Sequence, residues 1–381
     1  MNRRNLFKMT GLSVSSIFLG EAVAHATTQS KPFRIPTSTA PLLLCFNENP
    51  LGISEAAKQA MSESAKRASR YPFAQVAKMR KLCAKFMGGS PDNIMLSHGS
   101  AEAIRASVEA FKTDNTVLLT AELTYSDGAD VARRNNIPVE VVKMGPNWSI
   151  DVEAMRKKAS QLSKTKSVLV YFVNPNNPTS TIADTKAVFE WVKSKPQNTM
   201  FIVDEAYAEF VSDPSFRSLK DLVLDGYNNL VVLKTFSKIF AMAGLRLGFA
   251  FGTKEVVDRV RNHVAYEMMM NQATLAVATA ELQDPEFLKV SRRMNEESRT
   301  ILCRVLDQLN VSYLPSQTNF VFIDLKDKSL ADFSKRMKDE NILVGRPFPP
   351  ANTWCRISLG TPDEMRYFTS KLIEFRKKGW I

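Results

Sequence analysis

The sequence predicts an α/β protein: a large domain with a mostly parallel β-sheet between two layers of helices, followed by a smaller α+β domain. Between about residues 71 and 251, short apolar runs alternate with helical stretches, the pattern of βαβ units. After about Arg259 the alternation gives way to long helices. A chain of 381 residues also exceeds what one small core requires and suits two domains.

The alternating region is predicted to carry most of the sheet. Its apolar runs predict strands at 93–96, 116–119, 139–142, 167–173, 200–203, 230–234 and 247–251. Helical patterns separate them at 74–86, 101–111, 150–161 and 185–194. Crossovers between parallel strands place such helices on both faces of the sheet. The C-terminal part adds helices at 291–308 and 363–376 and strands at 320–323 and 355–359.

These patterns divide the chain into four segments. Residues 1–26 are predicted to be a leader, and residues 27–60 a segment that joins the small domain. The large domain is predicted over 61–260 and the small C-terminal domain over 261–381.

The first residues have the parts of an export signal. Arg3 and Arg4 precede a mildly apolar run over 9–20, and Ala24-His25-Ala26 fits a small-residue cleavage site. The twin arginines resemble a Tat signal, the route taken by proteins that fold before export. The run is too short and too rich in Ser and Gly to span a bilayer stably. We therefore expect a periplasmic or exported protein; the alternative is an amphipathic extension on a cytoplasmic one.

Composition argues against several classes of function. The formal net charge is +12, but the basic residues are scattered and no zinc-knuckle or RNA-binding aromatic pattern accompanies them, so nucleic-acid binding is not indicated. The four cysteines form no CxxC pair, which argues against a metal cluster or redox motif. His98 and His263 are the histidines outside the leader, too few for a His-based metal site or a Ser-His-Asp triad. We predict no metal.

Polar clusters follow the predicted strands, at the edge where open α/β sheets bind ligands. They are Ser97 to Glu102, Asn174 to Ser180, Asp204 to Tyr207, and Lys234 to Lys238 with Ala243 to Gly248. Taken singly, each has an ordinary explanation as a turn, a helix cap or a surface residue. Their succession at consecutive strand ends predicts one shared site.

One part of this site suits a phosphate. Gly99, Ser100 and Ala101 open a predicted helix, whose unpaired N–H groups and dipole favour an anion. The hydroxyls of Thr235 and Ser237 and the guanidinium donors of Arg246 can contact the same phosphate. Glu102, in the same predicted helix, is also predicted to belong to the binding site.

The other part suits an aromatic aldehyde with a ring nitrogen. Asp204 follows an apolar strand, so its poorly solvated carboxylate needs a cation such as a protonated pyridine nitrogen. Asn177 and Tyr207 can donate hydrogen bonds to a ring oxygen. Lys238 supplies the amine that captures the aldehyde as a Schiff base and, once displaced by substrate, shuttles a proton. We predict Lys238, Asp204 and Tyr207 as the catalytic residues.

With these motifs the sequence resembles the fold-type-I pyridoxal-phosphate (PLP) aminotransferases of class I/II, and most of all their histidinol-phosphate aminotransferase-like branch. The matching motifs run from about Leu44 to the C-terminus and include Asn47-Glu48-Asn49-Pro50 and Arg356-Ile357-Ser358-Leu359-Gly360-Thr361. The resemblance implies PLP as cofactor and small amino and oxo acids as substrates. Two departures are Ser180, where the family usually has Gly, and Ala101, where it has Asp.

The resemblance also implies roles that the residues alone do not. Tyr125 would stack on the cofactor ring, and Tyr71 would reach the phosphate of a neighbouring subunit, which implies a homodimer with shared active sites. Arg356 would bind the substrate α-carboxylate, or a phosphate if the substrate is an amino alcohol phosphate. Asn47 and Arg346 complete the substrate side, where Arg346 would bind a second anionic group.

The leading functional hypothesis is a ping-pong aminotransferase that exchanges an amino group between an amino acid, or an amino alcohol phosphate, and a 2-oxo acid. The alternative is a PLP-dependent decarboxylase, lyase or racemase, because the same scaffold supports cleavage of other bonds at the substrate carbon. A binding or regulatory protein that keeps the fold without turnover is a third possibility, although Lys238 argues against it.

Overall fold

A computed structural model describes residues 33–381. The predicted leader, residues 1–26, lies outside the described residues. Numbered in chain order, the strands are β1 (Leu42–Leu44), β2 (Ile94–Ser97), β3 (Thr116–Ala121), β4 (Val139–Val142), β5 (Ser167–Val173), β6 (Thr199–Asp204), β7 (Leu230–Thr235), β8 (Gly248–Phe251), β9 (Phe320–Asp324), β10 (Ile342–Val344) and β11 (Trp354–Ser358).

The helices alternate with these strands in the first two thirds of the chain and dominate the last third. They are α1 (Glu55–Ser64), α2 (Phe73–Met87), α3 (Ser100–Ala110), α4 (Asp127–Arg134), α5 (Val152–Leu162), α6 (Thr185–Lys193), α7 (Lys220–Leu224), α8 (Lys254–Arg261), α9 (Gln272–Gln283), α10 (Pro285–Gln308), α11 (Leu330–Asp339) and α12 (Pro362–Lys377).

The large domain contains a seven-stranded sheet in the order β2-β8-β7-β6-β5-β3-β4. Strand β8 runs antiparallel to β2 and β7, and the other pairings are parallel. The carboxyl ends of β2, β3, β5, β6 and β7 therefore meet at one edge. The predicted α/β fold with a mostly parallel sheet is confirmed.

Both faces of the sheet are covered, because side chains alternate along each strand. In β5, Val170 packs into a core formed with helices α1, α2, α5, α6 and α9, while Tyr171 packs into a second core with α3, α4 and α8. Apolar residues on both faces explain why these strands read as continuous hydrophobic runs.

The small domain has its own core, built from helices α10, α11 and α12. Two short sheets support it: β1 pairs in parallel with β10, and β9 pairs antiparallel with β11. Strand β1 brings part of the N-terminal segment to this domain through its pairing with β10. Helix α1 of the same segment instead packs in the large core through Ala57.

The large core extends beyond the predicted boundary at residue 260. Leu275 and Val277 of α9 lie in the same core as the sheet, and the small-domain core takes its first helical residues from α10. The change of pattern near Arg259 thus marks the end of β/α alternation, whereas the small-domain core begins within α10, at about Ile301. Within residues 33–381 no helix is both long and apolar enough to cross a bilayer.

Candidate active site

A cavity of about 250 Å³ opens at the carboxyl edge of the large sheet, where it meets the small domain. Its lining consists of Phe46, Asn47, Ser100, Ala101, Tyr125, Val173, Asn177, Asp204, Ala206, Tyr207, Thr235, Ser237, Lys238, Ala243, Arg246 and Arg356. The structure therefore brings together most residues of the predicted site. The sequence did not point to Phe46, Val173, Ala206 or Ala243, because apolar side chains carry no chemical signal in a motif.

Lys238 lies in the loop after β7 and is half-buried. Its Nζ donates to the carbonyl oxygens of Asn47, at 3.3 Å, and Phe46, at 3.4 Å. The same atom lies 5.7 Å from the centroid of the Tyr207 ring. Both acceptors are neutral carbonyl oxygens, and they hold the amine at the cavity. Such an amine is placed to react with an electrophile in the cavity.

Asp204, the last residue of β6, is only 2% exposed. Its carboxylate accepts hydrogen bonds from the Ala206 backbone N–H at 3.0 Å and the Tyr171 hydroxyl at 3.4 Å. Burial, with a smaller contribution from the nearby Asp127 carboxylate, raises the pKa of Asp204 to about 6. A buried carboxylate with neutral hydrogen-bond donors is stabilised by a cation in the cavity, and a protonated pyridine nitrogen fits.

The start of helix α3 forms another wall of the cavity. Gly99 caps the helix with a φ of 81°, a conformation that a side chain would strain. A Cβ on Gly99 would collide with the Arg246 guanidinium, and a Cβ on Gly248 would lie 2.6 Å from the Ser100 backbone nitrogen. Glycine at both positions thus allows a guanidinium and a neighbouring strand to approach the helix N-terminus, where N–H groups and the dipole favour an anion.

Hydroxyl groups complete this wall. The Thr235 and Ser237 side-chain oxygens lie 3.0 Å apart. Arg246 Nη1 donates to Ser237 Oγ at 3.4 Å and to the Ala243 carbonyl oxygen at 2.8 Å. The wall therefore offers hydroxyl, backbone N–H and guanidinium donors, a set that matches the oxygens and negative charge of a phosphate ester. The cavity fits PLP at both its ring nitrogen and its phosphate.

Asn177 and Tyr207 are buried side chains of the lining. Asn177 Oδ1 accepts from Arg356 Nη1 at 2.7 Å, so the amide N–H groups of Asn177 are its remaining donors. The Tyr207 hydroxyl accepts from Asn47 Nδ2 at 3.1 Å, and its ring packs edge-on against Phe320 with centroids 5.1 Å apart. Both residues retain donor groups that suit a ring oxygen.

Arg356 of β11 is a guanidinium that is only 9% exposed. Its Nη atoms donate to Asn177 Oδ1 and to the Cys45 carbonyl oxygen, each at 2.7 Å, while its buried Nε has no partner within the described residues. Burial, reinforced by the nearby positive charge of Arg346, lowers the pKa of Arg356. Neutral partners and an unpaired N–H leave this buried cation suited to a substrate carboxylate.

Four residues of the predicted set lie outside the cavity lining: Gly99, described above as the cap of α3, and Tyr71, Glu102 and Arg346. The Glu102 carboxylate instead accepts from the backbone N–H groups of His98, at 2.6 Å, and Ala265, at 3.0 Å, so it holds the turn before α3. Tyr71 is 78% exposed. Arg346 is also exposed, with its guanidinium over the Phe348 ring at 4.5 Å.

The sequence did not identify the partner of Asp204. Tyr171 lies inside a predicted strand, where an aromatic residue is typical of a core. Its hydroxyl meets Asp204 only because β5 and β6 are neighbours in register, with Phe172 opposite Val203. Across residues 33–381, no group of three or more His, Cys, Asp or Glu side chains is placed to hold a metal ion.

Comparisons with known proteins agree with this geometry. Residues 39–372 match the family model of aminotransferase class I and II. Histidinol-phosphate aminotransferase 2 of Legionella pneumophila (strain Lens) is 31% identical over 87% of this chain and 89% of its own length. The histidinol-phosphate aminotransferase of Brevibacillus brevis is 32% identical over 88% of this chain and 90% of its own.

Two solved structures are similar over nearly the whole described chain. One, from Erwinia carotovora atroseptica SCRI1043 and provisionally assigned as a histidinol-phosphate aminotransferase, has a TM-score of 0.89 and 42% identity over 92% of this chain and 100% of its own. Histidinol-phosphate aminotransferase from Sinorhizobium meliloti, in complex with pyridoxal-5'-phosphate, has a TM-score of 0.79 over 88% of this chain and 91% of its own. At 22% identity the latter shows the shared fold.

The resemblance seen in the motifs, the donor groups of the cavity and the matched family model agree. The chain belongs to the aminotransferase class I and II family and is a pyridoxal-phosphate-dependent aminotransferase of fold type I.

Proposed function

We propose that this protein takes the amino group of an amino acid, or of an amino alcohol phosphate, and passes it to a 2-oxo acid in two half-reactions of a ping-pong cycle. The observation that carries the proposal is Arg356, a buried guanidinium that shares a cavity with Lys238 and donates its hydrogen bonds to neutral oxygens. An anionic substrate group supplies the charge that this environment lacks. Its binding places the substrate amine beside Lys238.

Lys238 and the residues around it have separate roles in the proposed reaction. PLP, when bound, supplies an aldehyde that captures the amine and a ring that withdraws electrons from the substrate carbon. Lys238 carries the cofactor before substrate arrives, and its released amine then moves the proton from the substrate Cα. Asp204 keeps a proton on the ring nitrogen, while Asn177 and Tyr207 donate to the ring oxygen.

The remaining predicted residues fix the cofactor in place. The backbone N–H groups of Ser100 and Ala101, at the start of α3, bind the phosphate together with the hydroxyls of Thr235 and Ser237 and with Arg246. Tyr125 lines the same cavity and stacks on the ring. These contacts hold the cofactor at its phosphate, at its ring nitrogen and oxygen, and at one face of the ring. Lys238 and the substrate are then the groups that move.

Arg346 sets the substrate class in this proposal. It is exposed close to Arg356, near enough that its charge lowers the pKa of the buried guanidinium. A donor with a second anionic group would engage both arginines. The family relatives named for histidinol phosphate make that compound one donor to test, beside dicarboxylic and simple amino acids.

An amino-donor screen tests the proposal. Protein beginning at residue 27 is loaded with PLP and mixed with single donors, and absorbance of the bound aldehyde and formation of the oxo product are followed. We expect one equivalent of oxo product per active site with a subset of donors. A Lys238→Ala variant should form no product, whereas a Lys186→Ala variant, changed on the exposed part of α6, should match the parent protein.

Carbon dioxide is measured in the same screen. L-threonine-O-3-phosphate decarboxylase from Porphyromonas gingivalis shares the fold, with a TM-score of 0.74 and 20% identity. Release of carbon dioxide, or loss of the α-proton without oxo product, would refute transamination and favour the alternative chemistry.

The proposal includes a homodimer with shared active sites. Four large side chains that are 61–78% exposed support it: Tyr71, Phe73, Tyr266 and Met269. A hydrogen bond of 2.8 Å from Gln272 to the Arg70 carbonyl oxygen holds their two segments side by side. Large exposed apolar side chains on neighbouring segments are typical of a protein interface.

Mixing variants tests the shared site. Subunits with Lys238→Ala and subunits with Tyr71→Ala should each show little activity and regain activity when mixed, because one site of the mixed dimer then has both parent residues. A monomeric mass by light scattering, or no recovery on mixing, would contradict this arrangement.

Export through the Tat pathway is the last part of the proposal and is supported by Arg3, Arg4 and the apolar run that follows. Replacing both arginines with lysine should retain the protein in the cytoplasm, as measured by cell fractionation. Unchanged fractionation would favour the cytoplasmic alternative.

A further inference from the structure

Three hydrogen bonds connect the small domain to Tyr207. The backbone N–H of Asn47 donates to Ser358 Oγ at 2.8 Å, and Ser358 Oγ donates to Asn47 Oδ1 at 2.8 Å. Asn47 Nδ2 then donates to the Tyr207 hydroxyl at 3.1 Å. All three residues are buried, with exposed fractions of 2% for Asn47, 2% for Ser358 and 4% for Tyr207.

The direction of these bonds follows from the donors available. A backbone N–H can only donate, so Ser358 Oγ accepts from Asn47 N and has one proton left. That proton meets Asn47 Oδ1, an atom that only accepts. With Oδ1 placed at the Ser358 hydroxyl, the amide of Asn47 presents its NH₂ group to Tyr207, whose oxygen accepts. The single proton of the Tyr207 hydroxyl is thereby directed away from Asn47.

The backbone of Asn47 is also fixed. Its φ of 55° is left-handed, and its carbonyl oxygen accepts from Asn319 Nδ2 at 2.9 Å and from Lys238 Nζ at 3.3 Å. With the backbone held, the Ser358 hydroxyl orients the side-chain amide by donating to Asn47 Oδ1. Asn47 and Tyr207 both line the cavity, so this orientation determines where a hydroxyl proton points in the site.

We propose that Ser358 is a positioning residue that, through the Asn47 amide, directs the hydroxyl proton of Tyr207 to the ring oxygen of the cofactor. The inference rests on the proposed function, in which Tyr207 donates to that oxygen. Because Ser358 belongs to the small domain and Tyr207 to the large one, the relay also makes this hydrogen bond depend on the placement of the small domain.

A measurable consequence concerns the lysine-bound cofactor. A hydrogen bond to an anionic oxygen favours the anion, so a well-aimed Tyr207 lowers the pH at which the bound cofactor loses its proton. The charged or titratable groups around Tyr207 are Lys238, Arg356, Asp204 and Tyr125. Changing Ser358 alters none of them, so a shift in the titration reports the relay.

The experiment is a spectrophotometric pH titration of the PLP-loaded protein. Tyr207→Phe should raise the apparent pKa of the absorbance change by on the order of one unit, and Ser358→Ala should raise it by about half of that. If the alanine variant folds poorly, Ser358→Cys replaces it in the experiment. Cysteine has a similar volume but is a weak donor, so it should shift the apparent pKa in the same direction. Turnover with an active donor should fall several-fold with KM nearly unchanged.

Two comparisons separate the relay from a general packing effect. Ser298→Ala removes a buried serine of α10 that contacts Met294 and should leave the titration unchanged. Adding Ser358→Ala to Tyr207→Phe should produce no further shift. The inference is overturned if Ser358→Ala titrates like the parent protein, or if its shift persists in the Tyr207→Phe background. Parent protein with no titrating cofactor absorbance would instead refute the proposed function itself.

Discussion

Two groups of buried charges lie next to each other in the sequence and differ in how they are balanced. Asp204 faces the cavity with neutral donors around it. The next residue, Glu205, belongs to a cluster that we call the Lys234 cluster, formed by Lys234, Glu205 and Glu209. There Lys234 Nζ lies 2.5 Å from Glu209 and 3.7 Å from Glu205, and Ser218 and the Leu219 backbone N–H also donate to Glu205.

The comparison distinguishes buried charges that stabilise the fold from buried charges that bind a ligand. In the Lys234 cluster one ammonium serves two carboxylates, which raises the pKa of Lys234 despite its burial. In the cavity, Asp204 and Arg356 are each buried with neutral hydrogen-bond partners, so a bound ligand supplies the direct charge contact that each lacks, although the nearby Lys234 charge lowers the pKa of Asp204 somewhat. Removing a charge should therefore destabilise the fold in the cluster and spare or stabilise it in the cavity.

Lys234→Met is expected to produce the largest effect. It leaves two buried carboxylates without their cation and should lower the free energy of unfolding by about 3–5 kcal/mol. Chemical denaturation of the cofactor-free protein measures this. A Lys234→Met, Glu205→Gln, Glu209→Gln triple variant should recover part of the loss, and a Lys234→Met protein as stable as the parent would contradict the comparison.

Arg356→Gln should have the opposite signature. We expect kcat/KM for the active donor to fall by about 10²- to 10³-fold, as for loss of one partner of a buried charge pair, while the cofactor-free protein keeps its stability. Arg346→Gln serves as the exposed control and should matter mainly for donors with a second anionic group. Comparable losses with all donors in both variants would argue against the assigned roles.

Asp204→Asn should stabilise the cofactor-free protein at neutral pH. Burial raises the pKa of Asp204 to about 6, above the value of about 4 in an unfolded chain. The folded state therefore binds the proton more tightly, and the cost of ionising Asp204 grows between pH 4 and 6 and is complete above that range. The gain should reach roughly 2–3 kcal/mol at pH 7 and vanish near pH 4.

Cofactor binding should respond to Asp204→Asn in the opposite direction. The neutral amide no longer stabilises a protonated ring nitrogen, so PLP should dissociate more readily and turnover should fall. Thermal denaturation with and without PLP, from pH 4 to 8, measures both effects. Equal stability of the two proteins at all pH values would show that Asp204 is already balanced without ligand.

Ser180→Gly should have the smallest effect on stability, and that effect comes from the backbone conformation instead of from a charge. Ser180 is fully buried with a φ of 65°, at the position where the sequence departs from the glycine usual in the family. Glycine removes the left-handed strain but adds unfolded-state entropy, for a net gain of about 0.5–1 kcal/mol. Ser163→Gly, at a φ of −65°, is the control and should destabilise.

The large-domain strands could be predicted from the sequence because helices cover both faces of the sheet. Strands buried on both faces are apolar along their whole length, which is a pattern the sequence shows directly. The sequence was less informative where structure depends on distant contacts. Helix α4 was not predicted, since it is only eight residues long, half of them charged, and includes Gly128. That glycine is required by packing, because a Cβ there would lie 2.5 Å from the Tyr171 ring. The residues of α9 fall in the range predicted for the small domain, although their apolar side chains join the large core.

The sequence by itself determined the class of site. Lys238, Asp204, Asn177 and Arg246 follow strands or turns whose local pattern is readable, and each has a functional group that suggests its chemistry. Parallel strands then bring these residues to one edge, so that their order along the chain was enough to predict that they meet.

Only the tertiary structure decided which group contacts which. Ser358 and Asn47 are 311 residues apart, and Asn47 and Tyr207 are 160 apart, yet their hydrogen bonds orient a single proton. The same holds for the contrast between Asp204 and Glu205, adjacent carboxylates of which only the second meets Lys234. Hydrogen bonds and ion pairs depend on distances of a few ångströms between remote segments, and local sequence patterns do not contain those distances.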